Sequence, residues 1–480
     1  MKYLPAYWLR TGPFYLLAII VFFQVKNNVF FWDTIQLGAK QASWFYEQGF
    51  RYWLLPEEID SGHPPFFGMY LALLWKLLGK SLTVSHLAML PFLFGIIHFA
   101  TRLGERLAPL WSTPFLLLLL SVDATFAAQA ILISPDLVLF FGFLMGLESV
   151  FSRRWYPLSL AALILAMISL RGMMIVVVLY LFDLGQTFLE EKQQRDLRTW
   201  GAVLFRSALP YVPSGVFALA FLFYHYFQTG WIGYHVGSPW APSFERVDAG
   251  GFLYNIGILG WRLLDFGRVF AWLIIMGLLW QVWKKSAGSL LLQKLLLLLG
   301  LSLLLLSPSL LLHRHLLLHR YLLPVYLSGT FLLYYLLFGA SPIRMRWQYG
   351  MYTLALLGLL TGNRWIYPRQ IAQGWDATLA HLPFYDLRSR MLEYMDNQKI
   401  TYQEVGTGFP MIGPLKYRDL SGRETGFVGK NPNRQSLILY SNISNDFTDE
   451  ELQQLEHSWK VRYRIERGGV EMVLYEKAER

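Results

Sequence analysis

The 480-residue chain contains no cysteine. Disulfide staples and thiolate metal sites are therefore excluded. Charge is also scarce: Asp, Glu, Lys and Arg make up 15% of the residues, against 55% hydrophobic types, too little for a soluble chain of this length. Acidic residues are the rarer sign, 32 against 42 Lys and Arg. The resulting +10 does not point to nucleic acid, because most of the excess sits in short loops between apolar runs, where Lys and Arg set membrane orientation. No small-residue cleavage site follows the first apolar run, so that run reads as a retained helix and not as a signal peptide. No internal repeat is visible.

What is present is a succession of apolar runs near the roughly 20 residues a helix needs to cross a hydrocarbon core. They predict an all-α polytopic membrane domain over residues 1–362, with about eleven transmembrane helices. The runs are residues 13–25, 83–100, 111–131, 137–151, 157–170, 173–189, 207–227, 269–283, 290–312, 321–338 and 349–362. Lys2 and Arg10 place the N-terminus in the cytoplasm, and basic clusters such as Arg102/Arg106, Arg153/Arg154 and Arg344/Arg346 recur at alternate loops. That parity leaves the C-terminal tail outside. Residues 65–79 are apolar but too short to cross, and read as interfacial or re-entrant. From Asn363 the composition turns polar, and residues 363–480 predict a small extracytoplasmic α/β domain. It has a strand at 436–440, a helix capped by Thr448, and a hairpin about Arg467-Gly468-Gly469.

The first outside loop, residues 26–82, carries Asp33 near its start and His63-Pro64-Pro65 farther on, among aromatics such as Phe31, Trp32, Trp44, Phe45 and Trp53. Residues 32–50 predict a helix lying flat at the interface with its rings at headgroup level. By parity, Asp33, Asp136, Arg171 and the His319-Arg320 pair all reach the outside face. Ionisable groups near membrane depth are expensive and face a cavity or a partner. Two carboxylates with two guanidiniums suit a site that handles an anionic headgroup and a hydroxyl: the arginine fork binds phosphate, and a carboxylate accepts a proton. Plainer readings stand beside these. Asp33 and Asp136 suit helix caps, Arg171 suits snorkelling, and His63 suits a satisfied loop histidine. Asp60, Glu57 and Glu58 read as solvated loop charges. His313 and His315 as metal ligands are disfavoured, since their spacing puts them on different faces of a helix. The stretch from Trp231 to Trp240 suits sugar stacking or interfacial anchoring equally.

At these residues the chain resembles the GT-C membrane glycosyltransferases, in particular the family of protein O-mannosyltransferases and the aminoarabinose transferase that modifies lipid A. The resembling pieces are Asp33, Gly62-His63-Pro64-Pro65, Ser134-Pro135-Asp136 and His319-Arg320-Tyr321-Leu322-Leu323-Pro324, in that order over residues 1–340. The resemblance implies a polyprenyl-phosphate sugar donor and transfer, with inversion, to a protein, glycan or lipid acceptor on the outer face of the bacterial inner membrane. It implies Asp33 as general base, or as the group that orients the acceptor hydroxyl, and Asp136 as a second catalytic carboxylate, holding the donor or a divalent cation. His63, Arg171, His319, Arg320 and Tyr321 would bind substrate, with Arg320 on the leaving phosphate. No other cofactor is implied. Two positions depart from the pattern. Thr34 stands where many relatives have an acidic residue, and His63 where the lipid A branch has Lys, so neither the sugar nor the acceptor follows. The alternative is a secondary transporter or flippase for a lipid-linked or anionic substrate. Such proteins show inverted repeats and paired broken helices, and no matching halves are visible in the sequence.

Overall fold

The computed structural model describes residues 4–190, 197–238, 240–285, 289–314, 317–340 and 343–478. Apolar runs become helices because, in hydrocarbon, each backbone N–H and C=O has to be paired within its own segment. Among the described residues six helices are long and apolar enough to cross a membrane: Ala6–Val25, Leu82–Leu107, Leu170–Glu190, Val203–Thr229, Leu290–Leu311 and His319–Gly339. Two further candidates are bent pairs, Leu110–Val122 with Ala124–Ile131 at 74° and Ala249–Leu264 with Arg268–Val282 at 89°. Counting each pair as one span gives eight. Phe66–Leu78 and Trp155–Ile168 are shorter apolar helices. The run at 111–131 is therefore not one straight span, and residues 228–268, between the apolar runs 207–227 and 269–283, contain the helix Ala249–Leu264.

The two bends meet. Asp123 ends one helix and caps the next, its carboxylate accepting from Thr125 N and Phe126 N at 3.1 Å each. The same carboxylate takes two hydrogen bonds from Arg268, Nε and Nη2 both at 2.8 Å. Arg268 opens the helix after the other bend, and its guanidinium also lies 3.7 Å over the Tyr326 ring. At that bend Phe266 and Gly267 take φ of +52° and +79°. A side chain at Gly267 would strike the Gly358 carbonyl, so close backbone approach as well as the left-handed turn requires glycine there.

Residues 363–478 build a six-stranded sheet in the order β2-β3-β1-β4-β6-β5. The strands are β1 (Val405–Thr407), β2 (Gly413–Pro414), β3 (Gly426–Gly429), β4 (Leu437–Ser441), β5 (Trp459–Arg467) and β6 (Val470–Lys477). β1 pairs in parallel with β3 and β4, and the other pairings are antiparallel. Thr448 forms a capping box with Glu451 ahead of the helix Asp449–Ser458, and the hairpin turns at Gly468-Gly469. This unit does not stand apart. Its core cluster includes Phe384, Met391, Leu439 and Met472 and also Val25, Phe31, Trp32, Ile131 and Leu132 from the helical part.

That docking changes the first loop. Residues 35–40 form a π-helical turn that runs into Gln41–Gln48 and ends at Gly49 in the left-handed region. Phe31 and Phe45 are wholly buried, and Trp32 is buried too, so these rings pack against protein and are not free to face lipid headgroups. Phe31 stacks on His381 at 4.6 Å, and Phe30 N donates to the Arg418 carbonyl at 2.9 Å. Burying a Phe side chain contributes about 1.5–3 kcal/mol, more than the aromatic would gain lying half-wet at an interface. Trp53 remains 66% exposed.

Candidate active site

Each charged group sits at a backbone discontinuity, where a polar side chain has unpaired backbone donors or acceptors beside it. Asp33 lies on the turn before the π-helix. Thr34 locks that turn, donating from its hydroxyl to Phe31 O at 2.7 Å and accepting from Phe31 N at 3.0 Å. The Thr34 hydroxyl thus serves the backbone beneath Asp33. Asp136 is in the first turn of Pro135–Phe151, whose N-cap Ser134 accepts from Asp136 N at 3.1 Å. Arg171 follows Ser169, whose side chain accepts from Gly172 N at 3.1 Å. Arg320 lies on the 3-10 turn His319–Leu322. Asp376 lies on the 3-10 turn Trp375–Ala377, where the C-terminal unit begins.

These five side chains form one cluster. Arg320 Nη2 donates to Asp33 Oδ2 and Nη1 to Asp376 Oδ2, and Nε is 3.4 Å from Asp136 Oδ2. Arg171 Nη1 donates to Asp136 Oδ1. Tyr321 underlies both cations, its ring centroid 3.5 Å from Arg171 and 5.1 Å from Arg320. Three carboxylates against two guanidiniums leave the cluster one negative charge in excess. Arg320 Nε is buried without a hydrogen-bond partner. Of the three carboxylates, Asp33 is the most open at 19% side-chain exposure, against 9% for Asp136 and 3% for Asp376.

The cluster faces a cavity of about 240 Å³ lined by Asp33, His63, Asp136, Arg171, Arg320 and Tyr321, among others. Apolar walls come from Phe67, Leu139 and Ile168, and further lining from Gly233, Tyr234, Ser238, Trp240 and Phe244, with Tyr234 and Phe244 stacked at 4.5 Å. His63 leaves Nδ1 buried and unpartnered. Enclosure by protein and, secondarily, the Arg171 charge push its pKa down to about 4, against the opposing pull of Asp60 and Asp136. At neutral pH it is an uncharged imidazole beside the cavity.

Of the expected site residues, Asp33, Asp136, His63, Arg171, Arg320 and Tyr321 come together. His319 does not join them: it is buried, gives Nε2 to Asp265 at 2.8 Å, and is absent from the cavity wall. Asp33 and Asp136 spend their carboxylates on arginines, not on helix caps. Asp60 is not solvated. It is 3% exposed, accepts from Gly62 N at 2.8 Å and pairs with His225 Nε2 at 2.9 Å. Asp376 was missed; it reads as an ordinary acid at the start of a polar tail, and only the neighbouring Gly374-Trp375 hints at a tight turn. Gln129 was missed as well. It receives Ser134 Oγ–H and gives its amide to the Asp376 carbonyl at 2.7 Å, tying two carboxylate-bearing turns together. His313 bonds the Ser309 carbonyl at 2.6 Å, and His315 lies outside the described residues. Among the described residues no three His, Asp or Glu side chains group as a metal site, so no cation is assigned beside Asp136.

No family model matches the chain, and no curated protein matches it. Among solved structures it is similar to ArnT from Cupriavidus metallidurans in the apo state, at 15% identity and TM-score 0.53, over 98% of each chain. The same protein bound to undecaprenyl phosphate compares at 14% identity and TM-score 0.48, over 96% of this chain and 97% of that one. The apo comparison shows a shared fold along nearly the whole length.

Proposed function

We propose that the protein is a glycosyltransferase that moves a sugar from a polyprenyl-phosphate donor to a hydroxyl acceptor at the extracytoplasmic face of the bacterial inner membrane. The observation that carries this reading is the convergence of Asp33, Asp136, Arg171 and Arg320 on one cavity with apolar walls. Those residues come from four distant parts of the chain, and three of them, Asp33, Asp136 and Arg320, lie in the motifs that carry the resemblance. The GT-C fold shared with ArnT supports it.

The chemistry follows from the arrangement. The donor's prenyl chain stays in lipid while its sugar phosphate enters the cavity. The acceptor oxygen attacks the anomeric carbon, its proton passes to Asp33, and the bond to phosphate oxygen breaks with its electron pair leaving on the phosphate. Attack from the face opposite the phosphate inverts the anomeric centre. Arg171 and Arg320 take the charge that grows on the phosphate, in a site where low dielectric strengthens such contacts. Asp136 and Asp376 hold the two guanidiniums in place. Asp33 is the fitting base because it is the most open of the three carboxylates. His63 and the Tyr234–Phe244 pair contact the sugar or acceptor.

The test is transfer from a radiolabelled polyprenyl-phosphate sugar in membranes holding wild type or Asp33→Asn. Removing a general base costs roughly 10²–10⁴-fold in turnover. Equal turnover in both would eliminate Asp33 from the mechanism. The two bent helix pairs favour a second reading, a flippase, since broken helices recur in transporters. That reading predicts movement of polyprenyl phosphate between leaflets of proteoliposomes with no sugar transfer.

A further inference from the structure

A second cavity, of about 180 Å³, lies in the C-terminal unit, between the 367–375 segment and the sheet. Its wall is polar and aromatic, with Trp375, Tyr440, Ser444, Asn445 and Arg369 among its residues. Three observations bear on what it takes. First, Ser444 is 5% exposed and its Oγ has no hydrogen-bond partner. A buried hydroxyl left unpaired is costly, and a ligand hydroxyl would relieve that cost. Second, the charge does not suit an anion. Arg369 is already paired with Glu456 and with Glu471 at 2.6 Å, and Asp449 adds another carboxylate to the wall. Third, the cavity is tied to the catalytic cluster by two consecutive residues. Trp375 lines it, with Nε1 donating to the Asn442 carbonyl at 3.1 Å, while Asp376 binds Arg320.

We propose that this cavity is a subsite for an uncharged, hydroxyl-rich group, a single sugar ring of the acceptor glycan. The proposal rests on the transferase reading and deepens it: the acceptor is a neutral glycan, gripped one residue from the carboxylate that holds Arg320. A pyranose matches the wall, because hydroxyls both donate and accept against Ser444 and the neighbouring amides, and its apolar face suits aromatic rings. A phosphorylated acceptor would meet Glu471 and Asp449.

The experiment uses the full chain in lipid nanodiscs and saturation-transfer NMR with glucose, galactose, mannose and N-acetylglucosamine, with glucose 6-phosphate for comparison. The expected result is binding of at least one neutral sugar, weakened tenfold or more by Ser444→Tyr, which fills the cavity, and by Asn445→Ala, which opens it. Polyprenyl-phosphate binding stays intact in both variants. If Ser444→Tyr does not fold, Asn445→Ala decides alone. Absence of binding for all four sugars overturns the proposal, as does binding that ignores both variants or favours glucose 6-phosphate. Sugar binding without any transfer from the polyprenyl donor upholds the subsite and counts against the transferase reading. Transfer without sugar binding overturns the subsite alone.

Discussion

At the scale of single residues, Arg320 decides most. It bridges Asp33 and Asp376 and stands beside Asp136, a geometry that needs a planar fork with several donors. Arg320→Lys keeps the charge and loses the bridge, so transfer should fall by about 10²-fold or more, comparable with losing one preorganised donor in other sites. Asp376→Asn should lower turnover as well, although the residue lies beyond every motif singled out in the sequence; unchanged kinetics would reduce Asp376 to a packing contact. His63 gives a pH prediction. Its pKa is pushed down from 6.5 to about 4, so folding favours the neutral ring. Its contribution to stability is complete above pH 6.5 and falls away as pH drops toward 4. Between pH 7 and 8 it carries no titration, and His63→Gln should keep the shape of the pH–activity profile there while changing its height.

At the scale of elements, the broken helices carry the argument. Asp123 and Arg268 sit at the two bends, both almost fully buried, and bind each other through two hydrogen bonds. Breaking a buried pair by neutralising one member costs about 3–5 kcal/mol, because the other charge is left unpaired. Asp123→Asn keeps a capping side chain but strands Arg268, so a lowered thermal midpoint in detergent would isolate the ion pair from the cap. An unchanged midpoint would make the latch dispensable. The bend at residues 265–268 also sets the His319–Asp265 contact next to Arg320, so the same variant should weaken transfer without touching the cavity wall.

At the scale of the molecule, the helical part and the C-terminal unit share a core and a site. A chain ending at residue 362 lacks Asp376 and uncovers Phe31 and Trp32, and should insert without transferring sugar; full activity in it would reassign the unit to another task. Because the sequence has no cysteine, single cysteines report cleanly on sidedness. Glu57→Cys and Val236→Cys, exposed positions on the two loops that also line the cavity, should react with an impermeant maleimide added from outside. Protection of both would put the cavity on the cytoplasmic side.

The membrane character, the motif residues Asp33, Asp136 and Arg320, the capping box at Thr448 and the hairpin at Gly468-Gly469 were all legible in the chain. Each rests on local composition, periodicity or a short pattern. The bend at Asp123 was not, since an aspartate in an apolar run looks the same whether it ends a helix or faces a pore. Nor were Asp376 beside Arg320, Asp60 beside His225, or the withdrawal of His319 to Asp265. Those are pairings between residues 54 to 165 positions apart, and no local preference encodes them. Local chemistry determined which residues could act. Packing of the C-terminal unit onto the first loop decided which of them meet, because burying the Phe31 and Trp32 surface carries the Asp33 turn up against Arg320 and brings Asp376 with it.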